Sequence, residues 1–191
     1  MDFTGKVKQA ALAAIINQGL AYLEKDPEAN LPRLMALVDR VMPENWYVSQ
    51  RAGVRSAIAE KGNWYQLMLK LYALDPGVRK AFFRNFVLNA SLFGSATQDE
   101  TAAREGCNIP WAILLDPTSA CNLHCTGCWA AEYGNKLNLT FDELDSIITQ
   151  GKALGTYMYI FTGGEPLVRK KDVIALCEKH SDCEFLSFTN G

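Results

Sequence analysis

Three thiols stand within eight residues in the stretch CNLHCTGC, at Cys121, Cys125 and Cys128. Spacings of three and two intervening residues let one short loop wrap a compact metal centre. Thiolates ligate both zinc and iron–sulfur clusters. A tetrahedral zinc site needs a fourth protein ligand; Cys107, His124, Cys177 and Cys183 are the candidates. None of them gives the paired C-x2-C arrangement of a zinc ribbon. A [4Fe–4S] cube takes four cysteines in ferredoxins. Held by these three alone, it keeps one iron open for chemistry. On the cysteines alone both metals stand.

The loop must be positioned by something, and the surrounding pattern says what. Before it, the first hundred residues read as successive helices. Leu12, Ile15, Ile16, Leu20 and Leu23 recur at helical spacing, and Asp26-Pro27 breaks the run. A second stripe, Leu34, Leu37, Val38 and Val41, stops near Pro43. A third helix is expected over residues 46–60. Asn63 is placed to cap a fourth, with Trp64, Leu67, Met68 and Leu71 on one face. Asp75-Pro76 opens a fifth, striped by Val78, Phe82, Phe86, Ala90 and Phe93. Such stripes are packing faces. The small, polar run from Gly94 to Gly106 reads as a linker.

The pattern then changes. WAILLD (111–116), TYMYIFT (156–162) and CEFLSFT (183–189) are apolar runs of strand length. Strands apolar on both faces belong to parallel sheets covered by helices. Between the first two, Thr140 and Glu143 have capping-box spacing. Leu144, Ile147, Ile148 and Gly151 make a buried stripe, and Gly155 suits the C-terminal cap. Val173, Ile174 and Cys177 line a further helix before the third run. The order is βαβαβ, with the cysteines in the loop after the first strand, where β/α folds collect their chemistry. The expected organisation is therefore α/β: a helical region with its linker over residues 1–106, and a β/α domain over 107–191.

The net charge of −2 favours no nucleic-acid partner. No apolar run approaches the roughly 20 residues of a membrane-spanning helix. The first residues lack the basic start and small-residue cleavage site of a secretory signal and read as the first helix of a fold. Those features point to the cytoplasm, where clustered thiols are ligands rather than disulfides.

Two further segments join the cysteines in a resemblance. The C-x3-C-x2-C spacing, FTGGEP (161–166) after the second strand, and FTNG (188–191) after the third resemble the radical S-adenosylmethionine (SAM) superfamily, in the subgroup of molybdopterin-synthesis and SPASM-type enzymes. The resemblance spans residues 111–191. It implies that Cys121, Cys125 and Cys128 hold a [4Fe–4S] cluster and that SAM's methionine moiety binds the fourth iron. It also implies reductive cleavage to a 5′-deoxyadenosyl radical for hydrogen abstraction, as an oxidoreductase or transferase. Gly163, Gly164, Glu165 and Asn190 become the candidate SAM contacts. Gly164 is expected to tolerate no side chain, because a Cβ would intrude where the backbone nears the methionine end. Glu165 either bonds the SAM ammonium or braces the loop. Gly127 stands where many members carry an aromatic residue, and Trp129 follows the third cysteine instead. The implied partners are SAM, an electron donor such as flavodoxin or ferredoxin, and a substrate that is a peptide, a lipid or a small metabolite. The superfamily's fold is a (β/α)6 partial barrel, so three strands predict an N-terminal fragment of a longer polypeptide. The alternative is a non-catalytic zinc or iron–sulfur module, structural or electron-carrying, which has no need of GGEP or FTNG. His124 reads as a solvent-facing loop residue, Cys177 as a small buried hydrophobe, and Arg169, Lys170 and Lys171 as a solvated helix start.

Overall fold

Helices begin where short acidic side chains can take up free backbone N–H groups. The computed structural model describes residues 14–15, 17–134 and 136–191, with the backbone alone at 131 and 132. Its contacts divide the chain between Lys80 and Ala81. The first unit holds α1 (residues 17–25), α2 (Pro27–Val41), α3 (Val48–Glu60), α4 (Asn63–Tyr72) and the start of α5 (Pro76–Phe82). The Asp26 carboxylate accepts from the Ala29 N–H at 3.1 Å, and that of Asp75 from Gly77 at 2.7 Å. Gly62, not Asn63, is the N-cap of α4. Leu23, Leu31 and Tyr65 form the buried centre of this unit. The helix faces differ from the stripes read in the sequence. Leu37, Val41, Trp64 and Leu67 are exposed, while Leu31, Met35 and Tyr65 are buried. The segment NWYQLMLKLY is apolar nearly all round, so its periodicity does not select a face. Ile15 is exposed as well, and Leu12 and Ile16 lie outside the described residues.

In the second unit the path continues as π-helical turns (Phe83–Gly94) and then α6 (Ser95–Glu105). The stretch expected to be a linker is thus helical, and the boundary between units falls ahead of it. Tertiary contacts override the composition here. Gln98 is buried and donates to the Gly155 carbonyl at 2.9 Å. Asn85 donates to the carbonyls of Ser181 and Cys183, and Asn89 to that of Asp182. These amides satisfy the turns that lead into the second and third strands, so the helical stretch closes the N-terminal end of the sheet. Gly106, in the left-handed region at φ +67°, ends α6.

Strands β1 (Ala112–Leu115), β2 (Met158–Phe161) and β3 (Glu184–Ser187) form a parallel sheet in the order β1-β2-β3. Helices α7 (Phe141–Ala153) and α8 (Lys170–Lys179) pack on one face. The Thr140–Glu143 capping box starts α7, and Gly155 follows its cap at φ +93°. Leu115, Tyr159 and Phe161 meet Leu144, Ile148, Val173 and Leu176 in one core. Each fully buried aliphatic side chain there contributes about 2 kcal/mol. Gly151 leaves room for the Tyr159 hydroxyl, which would lie 2.3 Å from a Cβ at that position. On the opposite face Leu114, Ile160 and Leu186 share one register line. Leu114 is 62% exposed and Leu186 45%. Among the described residues, then, helices do not cover both faces at this level, against the expectation from the apolar runs.

The end of the helical stretch nearly touches the α7–β2 turn. A Cβ at Gly94 would lie 2.4 Å from the Gly155 carbonyl oxygen, whereas one at Gly53 in α3 would meet nothing within 4 Å. Gly94→Ala should therefore lower stability by about 2 kcal/mol, read as a lower urea midpoint. Gly53→Ala should raise it, by about 1 kcal/mol, from helix propensity.

Candidate functional site

All three motifs lie at the C-terminal ends of the strands. The loop carrying the cysteines leaves β1 at Asp116 and returns to α7 at Thr140. Its base is stapled. Thr118 and Asn138 form an antiparallel bridge, with the Thr118 hydroxyl donating to Asn138 Oδ1 at 2.6 Å. The Leu139 N–H donates to the Pro117 carbonyl and the Ser119 N–H to that of Leu137. Arg169 is not a solvated helix start. Its guanidinium donates to the carbonyls of Pro117 and Leu139, one on each side of the loop base, and is held by Asp172 at 2.6 Å.

The GGE segment runs directly against this loop. The Gly164 N–H donates to the Thr118 carbonyl at 3.0 Å and the Glu165 N–H to that of Ala120 at 2.8 Å. The approach is so close that a Cβ on Gly164 would lie 2.2 Å from the Ala120 oxygen. The cysteine loop by itself thus already excludes a side chain at 164. Gly163 adopts φ +100° over Asp116 and Thr118.

Glu165 is buried, and both oxygens of its carboxylate accept hydrogen bonds. One oxygen accepts from the Leu167 N–H and the Thr189 hydroxyl, each at 2.8 Å. The other accepts from the Asn190 N–H at 2.8 Å. Burial pushes this carboxyl up, but the bonds from Asn190, Leu167 and Thr189 outweigh it and hold it below its ordinary value. Asn190 in turn reaches the cysteine loop, its side-chain amide donating to Asn122 Oδ1 at 3.0 Å and lying 3.8 Å from Cys121 Sγ. One chain of bonds therefore joins all three strand ends.

Cys121 and Cys128 are half-buried and Cys125 is exposed. Among the described residues no three histidine, cysteine or acidic side chains stand close enough together to hold a metal ion. By chemistry the loop still fits an iron–sulfur centre: three unpaired, accessible thiols lie on one closed loop, with the Leu123 N–H directed at Cys121 Sγ at 3.4 Å. The fourth ligands considered for zinc are placed otherwise. Cys183 is buried in the core, where burial pushes its thiol up to about 12, and Cys177 packs against that core. Cys107 and His124 are exposed.

A cleft of about 510 Å³ opens between this loop and the ends of β1 and β2. Its walls include Asp116, Trp129, Tyr133, Lys136, Gly163 and Gly164. Burial raises the Asp116 carboxyl above its ordinary range. Trp129 and Tyr133 meet edge to face at 5.9 Å. Gly127 sits at φ +75°, a backbone value that side chains rarely adopt. That accounts for glycine in place of an aromatic residue, and Trp129 brings an aromatic surface to the cleft. Sequence reasoning missed Thr118, Asn138, Arg169 and Thr189, which bear no chemistry of their own and signal only through tertiary bonds.

Residues 115–191 match the Radical SAM superfamily. A GTP 3′,8-cyclase of Edwardsiella ictaluri is 35% identical over 86 residues, 41% of this chain and 26% of that enzyme. A PqqA peptide cyclase of Bradyrhizobium diazoefficiens is 31% identical over 87 residues, 44% of this chain and 23% of the enzyme. A GTP 3′,8-cyclase of Geobacter sulfurreducens is 40% identical over 62 residues, 30% and 19% respectively. The chain thus spans about a quarter or less of the length of these curated relatives. No solved structure matches. The Radical SAM superfamily is one of enzymes that use a [4Fe–4S] cluster and SAM.

Glu165→Ala leaves three donors without their acceptor and should cost about 3 kcal/mol at pH 7. Because the folded carboxyl is held below its ordinary value of 4.5, its contribution is complete above that pH and is lost as pH falls through the folded value. Urea midpoints of wild type and Glu165→Ala should therefore converge as the pH is lowered below 4.5. A gap that stays constant with pH would show that the charge is not what holds the loops.

Proposed function

We propose that this chain, whose residues 115–191 are a radical SAM superfamily domain, is the cluster- and SAM-binding part of a radical SAM enzyme. The observation that carries the reading is the meeting of three motifs: the GGE backbone bonds the loop before Cys121, and Asn190 bonds the loop at Cys121 and Asn122. A structural zinc loop has no use for that arrangement.

Cys121, Cys125 and Cys128 would hold the cluster. Bound there, the cluster would supply the one electron for reductive cleavage of SAM, the chemistry that provides a radical for hydrogen abstraction from a substrate. The chain's own residues bind and orient. Gly163 and Gly164 keep the backbone low beside Asp116, at a cleft wall that would take SAM's methionine end. Glu165 serves this site as a brace, its oxygens already engaged by Leu167, Thr189 and Asn190. Trp129 and Tyr133 offer an apolar wall suited to a purine. The three strands correspond to the first β/α units of the superfamily's partial barrel, whose interior face would carry Leu114, Ile160 and Leu186. An external one-electron donor such as flavodoxin or ferredoxin would reduce the centre, and a reducing compartment, the cytoplasm, suits six free thiols. No helix among the described residues is long and apolar enough to cross a membrane. The named relatives are a GTP 3′,8-cyclase and a PqqA peptide cyclase; the substrate here is of the small-metabolite, peptide or lipid class.

Anaerobic reconstitution with iron and sulfide tests this. The wild-type chain should turn brown and show a [4Fe–4S] spectrum that changes when SAM is added. Cys125→Ala should lose the site-differentiated cluster, and Cys177→Ala should retain it. A colourless protein carrying stoichiometric zinc, or a cluster that survives Cys125→Ala, would overturn the proposal.

A further inference from the structure

We propose that Asn190 is a positioning residue that raises the electron affinity of the metal centre by donating a hydrogen bond to the Cys121 sulfur; this rests on the cluster assignment above. The side-chain amide of Asn190 has two hydrogens and two acceptors within reach. Asn122 Oδ1 lies at 3.0 Å and Cys121 Sγ at 3.8 Å, a normal separation for the larger sulfur atom. Its aim is fixed from behind, because its backbone N–H is anchored on Glu165 Oε2 at 2.8 Å. The adjoining Thr189 hydroxyl is anchored on the other oxygen of the same carboxylate. Cys121 Sγ also receives the Leu123 N–H at 3.4 Å. Among the described residues no such donor reaches the sulfur of Cys125 or Cys128. The three thiols are therefore inequivalent, and Cys121 is the one whose sulfur receives hydrogen bonds.

The consequence follows from charge. Reduction adds an electron that is shared with the ligating sulfurs. A donor on one of them stabilises the reduced form more than the oxidised form, so hydrogen bonds to sulfur set cluster potentials. Removing the amide should lower the midpoint.

The test is a redox titration of the reconstituted full chain without SAM, following the EPR signal of the reduced cluster. Asn190→Ala should bind the same iron and sulfide as wild type. At a fixed solution potential its ratio of reduced to oxidised cluster should fall about tenfold, which is about 59 mV for one electron. A second readout reports the hydrogen bond directly. Wild type labelled with ¹⁵N in asparagine side chains should show a nitrogen coupling to the reduced cluster by pulsed EPR, and Asn190→Ala should lack it. An unchanged midpoint in Asn190→Ala, or no coupling in wild type, overturns this inference while leaving the cluster assignment intact. A wild-type chain that takes up no iron overturns that assignment and this inference with it.

Discussion

The arrangement depends on one buried carboxylate. Parallel strands end side by side, but nothing in a sheet ladder fixes the loops that leave those ends. Glu165 does so by accepting from Leu167 in its own loop and from Thr189 and Asn190 after β3. Its backbone N–H meanwhile bonds Ala120, in the loop after β1. A charged acceptor forms stronger hydrogen bonds than a neutral one, and burial removes the water that would compete for its partners. A single residue thus sets the spacing of three loops drawn from distant parts of the sequence. It also explains why Gly164 cannot carry a side chain, since the two backbones must come within bonding distance for Glu165 to reach its place.

A second constraint supports the first. The cysteine loop is a long excursion, and closing it costs entropy that grows slowly with length. The Thr118–Asn138 bridge and the Arg169 guanidinium close it near its base, and the stretch with the thiols beyond it is accessible. A rigid base and an open tip suit a loop that must gather sulfurs around a metal. At the other end of the sheet, Asn85, Asn89 and Gln98 tie the helical stretch to the strand-entry turns. Chemistry at one end and closure at the other are thereby separated by the length of the strands.

Much of this was legible in the sequence because it is written in local pattern. Capping residues at Asp26, Asp75 and Thr140, the apolar strand runs and the glycine after α7 each act within a few residues of themselves. The cysteine spacing and the GGEP and FTNG segments are local too, and residues 115–191 match the superfamily they resemble. What was not legible is tertiary. Ser95–Glu105 is polar and reads as a linker, yet it is helical, with Gln98 and Thr101 buried inside the second unit. In α4 an apolar surface all round left the buried face undetermined. Arg169 sits in a basic run, and only the folded chain shows that its charge is spent on two carbonyls. Gly127 looked like a departure from pattern and proves to be demanded by its backbone angle.

The most direct test of the Glu165 account is amide hydrogen exchange on the full chain, wild type against Glu165→Ala. The prediction is a joint loss of protection at Leu167 and Asn190, which donate to the carboxylate, and at Gly164 and Glu165, whose N–H groups hold the loop before Cys121. The core amides of β2 should be unaffected. Faster exchange confined to Leu167 and Asn190, with Gly164 and Glu165 unchanged, would contradict the claim that this carboxylate holds the cysteine loop in place.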